Sequence, residues 1–145
     1  MPTVLGPPFS PTFDGLPTHM STEDFEIWLR YRDRLRPLAR ALYFDVRLGA
    51  DEALTAATGS GFENMWYSVN AKRADVLAVL DDGPRIIELR NNAQANAVGR
   101  LITYRMLWNR DPKLPGPLSL ELVTNVLDPD VADACKENRI LYTHV

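Results

Sequence analysis

Two acids and one base, Asp75, Glu88 and Arg90, have a spacing that could bring them together for chemistry. Two mostly apolar runs, Ala74 to Leu80 and Arg85 to Arg90, flank the turn sequence Asp-Asp-Gly-Pro. Because an Asp-Gly pair between such runs is a strong hairpin signal, the sequence predicts two adjacent antiparallel strands. Side chains alternate along strands, so all three charged groups are expected on one face.

The predicted register decides which residues face each other across the hairpin. If Leu80 pairs with Arg85, Asp75 lies opposite Arg90 and Leu77 lies opposite Glu88. Charges near the centre of a sheet are costly unless they are paired or bind a metal. Two interpretations stay open: a salt-bridge cluster, or a site for Mg²⁺, which takes one or two carboxylates together with water and phosphate oxygens.

The elements that must position these residues follow from capping and periodicity. Ser21 is a helix N-cap, and Pro37 interrupts the helix that follows it. The other predicted elements are a possible strand at Tyr43–Leu48, a connection or short helix at 50–62, an extended run at Met65–Val69, a helix at Ala93–Asn109 with Asn91 or Asn92 as its cap, a strand at Leu118–Val126, a helix at Pro129–Asn138 capped by Asp128, and a strand at Arg139–Val145. This order predicts the α/β class, with a mixed central sheet flanked by helices.

The first 20 residues form a separate unit. Five of the 11 prolines lie there, at positions 2, 7, 8, 11 and 17, so the segment cannot be helical. It also carries Leu5, Phe9, Phe13 and Leu16, more apolar side chains than a solvated linker needs. The sequence therefore predicts an extended arm over residues 1–20, which docks on its own body or on a neighbour, and one domain over 21–145.

Composition excludes several classes of protein. The chain has 145 residues, a formal net charge of −3 and 46% hydrophobic residues, which is globular composition without an overall basic field. One cysteine and two histidines at opposite ends give no zinc spacing and no catalytic Cys-His pair. The sequence contains no pattern of a signal peptide or a membrane helix, so we expect neither secretion nor membrane insertion.

A dense basic run lies in and after the first predicted helix. Its functional interpretation is phosphate contact, which would make it a nucleic-acid-binding surface. Its simpler interpretation is a solvated helix face whose charges are paired with neighbouring acids. The five residues of this run are Arg30, Arg32, Arg34, Arg36 and Arg40.

The segment RADVLAVLDDGPRIIELR, together with the later helix and LSLELVTNV, resembles the PD-(D/E)XK nuclease-like fold. More narrowly, residues 64–145 are similar to small proteins of this fold encoded by tailed bacteriophages. The resemblance implies a restriction-endonuclease-like αβββαβ core. It also implies that Asp75 is the first acid and Glu88 the second, that both would hold Mg²⁺ in an active member, and that Gln94 matches a glutamine found in some sites.

The sequence departs from the family pattern at two positions, of which the first is often tolerated and the second implies that the reaction has been lost. Ala74 replaces a proline, and Arg90 stands where nucleases carry lysine. Arginine stays charged and forks onto carboxylates, so Arg90 could occupy the metal position. The resemblance thus implies a non-enzymatic virion or assembly component without a cofactor, near a head–tail junction.

That component would act in the virion or the host cytoplasm, in several copies, and would dock on protein partners through Leu5, Phe9, Phe13 and Leu16 of the arm. Two alternatives remain. One is a Mg²⁺-dependent DNA nuclease that uses Asp75, Glu88, Arg90 and Gln94, and the other is a DNA-binding module that uses the basic run.

Overall fold

The structure, a computed structural model, describes residues 3–49 and 72–145. The predicted connection at 50–62 and the extended run at Met65–Val69 lie outside the described residues. The described elements, in chain order, are α1 (Thr22–Leu35), β1 (Ala41–Leu48), β2 (Lys72–Leu80), β3 (Gly83–Arg90), α2 (Ala95–Arg110), β4 (Ser119–Thr124), α3 (Pro129–Glu137) and β5 (Ile140–His144).

The five strands form one mixed sheet in the order β1-β2-β3-β4-β5. The strands β1, β2 and β3 are antiparallel neighbours, whereas β3, β4 and β5 run parallel. The parallel pairs need crossover connections, which α2 and α3 provide. This confirms the predicted α/β class with helices flanking a mixed sheet. Among the described helices, none has the length and apolar character needed to cross a membrane.

The β2–β3 hairpin is present, but its predicted register is wrong by two residues. Leu80 pairs with Gly83 and Ala78 with Arg85, because the loop contains only two residues. Gly83 belongs to the strand, where a Cβ atom would lie 2.4 Å from the carbonyl oxygen of Pro117. Because the error is an even number of residues, the residues from Val76 to Leu80 and from Arg85 to Leu89 keep their predicted faces. Continuing the observed register places Asp75 beside Glu88 rather than opposite Arg90.

Two predicted helix caps are confirmed, and one is wrong. The Ser21 side chain accepts a hydrogen bond from the Asp24 N–H, and Asp128 accepts from the N–H groups that follow it at the start of α3. The helix α2 begins later than predicted, with Gln94 at its N-cap position instead of Asn91 or Asn92. Asn92 adopts a left-handed conformation with φ of 47°, which excludes it from the helix.

Each face of the sheet carries its own hydrophobic core. The core under α2 and α3 contains Leu77, Ile86, Leu101, Tyr104, Trp108 and Leu122, among others. The core under α1 contains Ile27, Trp28, Tyr31, Phe44, Val76, Ile87 and Leu89, among others. The charged end of the β2–β3 hairpin therefore lies between two packed layers.

The even-numbered side chains of β1 change faces at Asp45. Leu42 and Phe44 pack in the core under α1, whereas Val46 and Leu48 pack in the core under α2. Strict alternation would place all four on one face. Asp45 has a φ of 54°, a left-handed conformation that breaks the alternation.

The N-terminal arm, residues 3–20 of the described chain, docks on its own body. It runs antiparallel to the outer edge of β1, where Val4 exchanges two backbone hydrogen bonds with Arg47, at 2.9 and 3.1 Å. Phe9 exchanges two more with Leu42, at 2.7 and 2.9 Å. The arm therefore covers a strand edge that would otherwise expose unpaired backbone groups.

Aromatic packing and one arginine hold the middle of the arm. The Phe9 ring lies 4.7 Å from the Phe13 ring and 5.3 Å from the Phe44 ring, measured between centroids. Arg36 donates to the carbonyl oxygens of Pro11 and Phe13, at 3.0 and 3.1 Å. The apolar anchors predicted for the arm are thus used within the chain, except that Leu16 is 61% exposed.

We expect Phe9→Ala to lower the free energy of unfolding by about 2 kcal/mol, because it removes a half-buried ring from the core under α1. Urea denaturation followed by circular dichroism measures the change. Leu16→Ala is the matched control and should change stability by less than about 0.5 kcal/mol, since its side chain is exposed. Equal effects of the two substitutions would contradict the observed docking of the arm.

Candidate carboxylate site

The carboxyl groups of Asp75 and Glu88 lie where β2 and β3 separate. The ladder between β2 and β3 ends at Val76 and Ile87. Beyond this point β2 remains paired with β1, and β3 remains paired with β4. The next backbone donor of β3, the Leu89 N–H, is bound by the Asp75 side chain at 2.9 Å. The Asp75 carboxylate thus accepts a hydrogen bond that a backbone carbonyl of β2 would accept in a continuous ladder. This contact directs the Asp75 side chain toward β3.

Glu88 is the buried centre of the site. Its residue is 1% exposed, and its Oε2 atom accepts from Arg90 and lies 3.2 Å from Nε of Arg100. Its Oε1 atom lies 3.5 Å from the hydroxyl of Tyr104. Buried carboxylates require such partners, because an unpaired charge in this environment costs several kcal/mol. Two guanidinium groups, one from β3 and one from α2, therefore compensate one carboxylate.

The second acid of the pair favours its protonated form. Burial raises the pKa of Asp75 well above its usual range, and the neighbouring charge of Glu88 raises it further. The Leu89 N–H acts in the opposite direction, because it stabilises the carboxylate. The two carboxyls lie within hydrogen-bonding reach of each other, so a proton on Asp75 can be shared with Glu88. The cluster then carries one negative charge between two guanidiniums.

Two further groups complete the electrostatics of the site. Burial raises the pKa of Asp24, in the first turn of α1, while the charge of Arg90 lowers it. Burial also raises the pKa of Tyr104, and the charge of Glu88 adds to this shift, so its hydroxyl stays protonated. That hydroxyl donates to the carbonyl oxygen of Arg73 at 2.9 Å and accepts from Arg100.

The structure brings together three of the four residues predicted for a catalytic site. The structure places Glu88 next to both Asp75 and Arg90, and Arg90 donates a hydrogen bond to Glu88. Gln94 is exposed in the turn before α2, where its side chain donates to the backbone oxygen and the side-chain oxygen of Asn92. Within residues 3–49 and 72–145, no group of three or more His, Cys, Asp or Glu side chains is placed to hold a metal ion.

Sequence reasoning missed Arg100 and Tyr104, which complete the site from α2. Their spacing of four residues places both on one face of a helix. No local sequence pattern indicates that Arg100 contacts Glu88, because the two residues belong to different elements. Only the crossover of α2 over the sheet brings them together.

A second buried carboxylate, also missed, lies on the opposite face of the sheet. Glu121 in β4 is 2% exposed and accepts from the hydroxyls of Tyr31 and Thr143, both at 2.6 Å. Arg85 lies 3.4 Å from its Oε1 atom. Because these donors satisfy both oxygens, we interpret Glu121 as a structural tie between α1, β3 and β5.

Three of the five arginines predicted to form a basic surface make ion pairs with acids of the same chain. Arg32 and Arg36 pair with Asp14 of the arm, and Arg40 lies 2.8 Å from Asp81 in the hairpin loop. Arg30 and Arg34 are the two members that remain exposed on α1. These contacts favour the interpretation of paired charges over that of a phosphate-binding surface.

Comparison with known proteins adds no constraint on this site. The chain matches no family model, and neither the curated proteins nor the solved structures compared with it give a match. The function must therefore be argued from the residues and their geometry.

The raised pKa of Asp75 predicts a specific dependence of stability on pH. A carboxyl whose pKa is higher in the folded state binds its proton more tightly there, so its favourable contribution is full below about pH 4 and is lost as pH rises through the raised pKa. Asp75→Asn cannot ionise, so the variant should become more stable relative to wild type as pH increases from 4 to 8.

Urea denaturation at each pH measures this difference. Asp133→Asn, on the exposed side of α3, is the control and should follow the wild type across the range. A constant difference between Asp75→Asn and wild type from pH 4 to 8 would show that Asp75 is not shifted.

Proposed function

We propose that this protein is a non-enzymatic assembly component built on a restriction-endonuclease-like scaffold. The described order of α1, β1, β2, β3, α2 and β4 agrees with the αβββαβ core that the sequence resemblance implies. The single observation that carries the proposal is the double occupation of Glu88 Oε2 by Arg90 and Arg100. A nuclease would need that oxygen for a metal ion.

The donor chemistry of the site supports a non-catalytic role. Mg²⁺ binds ionised carboxylates and keeps most of its water ligands. Here Asp75 favours its protonated form, and two guanidiniums already neutralise Glu88. A cation would have to displace at least one guanidinium and one proton. Arg90 also lacks the ability of lysine to lose its proton, so it is a poor substitute for a group that orients attacking water.

The arm supports the assembly part of the proposal. In several copies of the chain, the same arm could leave its own β1 and pair with the β1 of a neighbour, since both contacts are chemically identical. Such an exchange would use Leu5, Phe9 and Phe13 as anchors, as the sequence predicts. The resemblance to small proteins of tailed bacteriophages supports a virion component, at the head–tail junction, as the setting.

One observation favours a second candidate function, a Mg²⁺-dependent nuclease. The carboxyls of Asp75 and Glu88 lie side by side at a point where two strands separate, and a divalent ion between them would stabilise both as carboxylates. In that case Asp75 and Glu88 would hold the ion, and the ion would supply an activated water.

Metal titration and plasmid nicking distinguish the two candidates. For the proposed assembly component, isothermal titration with Mg²⁺ or Mn²⁺ at millimolar concentration should give no binding, and supercoiled plasmid should remain intact with either ion. Cleavage that Glu88→Gln reduces at least tenfold would contradict the proposal and establish the nuclease. Glu137→Gln, exposed at the end of α3, is the matched control.

A disulfide between arm and body tests assembly through the arm. Val4 and Arg47 exchange both backbone hydrogen bonds, which places their Cα atoms about 5.5 Å apart, within reach of a disulfide. In Val4→Cys/Arg47→Cys, the oxidised protein should stay monomeric, whereas the reduced protein and the wild type should form multiples. Light scattering coupled to size-exclusion chromatography measures the mass. Identical masses in both redox states would contradict exchange of the arm.

The native Cys135 does not complicate this experiment. It is buried in the core under α2 and α3, and burial raises the pKa of its thiol to about 11. A thiol with so little thiolate at neutral pH exchanges slowly with disulfides.

A further inference from the structure

The last residues of the arm lie next to Asp75 of the carboxylate site. We name Pro17–Met20 the strap, since it joins the arm to α1. Thr18, His19 and Met20 line a narrow crevice with Asp45 and Asp75. The His19 Nε2 atom lies 3.8 Å from Oδ2 of Asp45. The strap therefore encloses one crevice together with the side chains of Asp45 and Asp75.

The strap is held at both ends by contacts within the chain. Pro17 is buried, and its carbonyl oxygen accepts from the Met20 N–H at 3.3 Å. The Met20 side chain packs against the core under α1. His19, between them, has a φ of 66°, which L-residues rarely adopt. Such a conformation persists only where neighbouring contacts impose it.

The arm and the carboxylate site share the strand β1. The outer edge of β1 pairs with the arm, and its inner edge pairs with β2. The pairs Phe44 with Val76 and Val46 with Ala74 bracket Asp45 and Asp75, which places these two acids next to each other across the ladder. Asp45 contacts His19 of the strap on one side and Arg73 at 2.7 Å on the other.

Packing between the arm and β1 is incomplete. A cleft of about 290 Å³ lies between them, lined by Leu5, Gly6 and Pro7 of the arm and by Phe44 and Asp45 of β1, among others. The arm keeps one register along β1, but Pro7 and Pro8 have no N–H to donate between its two paired positions. An open cleft and two prolines without N–H donors weaken the contact between this part of the arm and β1, so this part detaches at a lower free-energy cost than a fully paired strand.

We propose that the strap is a cover that couples the arm to the carboxylate site. Detachment of the arm from β1 removes the contacts that impose the strap conformation, and the carboxyl groups of Asp75 and Glu88 then become accessible to water and solutes. A partner that takes up the arm would thereby expose the site. The coupling depends on the contacts of one chain, so it does not require the proposed assembly function.

Amide hydrogen exchange of Leu89 measures this coupling, because its N–H is bound by the side chain of Asp75, which lines the same crevice as the strap. Arg36→Met removes the hydrogen bonds that hold Pro11 and Phe13 but keeps an unbranched apolar side chain of similar length. We expect the exchange of Leu89 to become at least tenfold faster in this variant, as measured by NMR on the full chain.

Two controls separate the strap from general loosening of the sheet. Arg34→Met changes an exposed arginine of the same helix and should leave the Leu89 rate unchanged. The amide of Ile87, opposite Val76 in the ladder, should keep its wild-type rate in both variants. An unchanged Leu89 rate in Arg36→Met, or equal acceleration at Leu89 and Ile87, would overturn the proposal.

The arm disulfide gives the opposite perturbation. In oxidised Val4→Cys/Arg47→Cys the arm cannot leave β1, so Leu89 should exchange at least threefold more slowly than in the reduced protein. Equal rates in the two redox states would overturn the coupling. Failure of the coupling proposal is distinct from failure of the assembly proposal, because amide exchange tests the coupling and molecular mass tests the assembly.

Discussion

The buried carboxylate of Glu88 imposes the strictest constraint on this structure. A charge that is 1% exposed must find cationic or hydrogen-bonding partners within the fold, and here they come from β3 and from α2. The contact with Arg100 requires α2 to cross the sheet in its observed position. Asp75 can lie next to Glu88 because its carboxyl can share a proton with Glu88 instead of adding a second negative charge. The negative charge of Glu88 is thus compensated by residues of the chain itself.

Local signals in the sequence predict most of the fold. The caps at Ser21 and Asp128, the hairpin at the Asp-Gly turn and the class of the sheet agree with the structure. The predicted hairpin register is wrong because the pair Gly83-Pro84 is typical of a loop. In the structure, Gly83 lies in the strand and in close contact with the backbone of Pro117. Such a contact depends on a segment more than 30 residues away, which no local pattern reveals.

The candidate site was predicted only in part, for a similar reason. Period-two alternation predicts that Asp75, Glu88 and Arg90 come together, and in the structure Glu88 contacts both of the others. It could not identify Arg100, which reaches Glu88 only after α2 has crossed the sheet. The arm shows the same limit, because its apolar residues indicated docking but not the strand on which it docks. Local periodicity predicts which side a residue faces, and tertiary packing selects its partner.

The left-handed residue Asp45 has a consequence for how the molecule unfolds. Because β1 changes faces there, one continuous strand supplies Leu42 and Phe44 to one hydrophobic layer and Val46 and Leu48 to the other. Neither layer can melt without withdrawing side chains from its counterpart, so the two should lose structure in a single cooperative transition. The strands beside β1 reinforce this coupling, because Val76 and Leu77 in β2 and Ile86 and Ile87 in β3 also pack in opposite layers. The sheet therefore ties the two halves of the interior into a single thermodynamic unit.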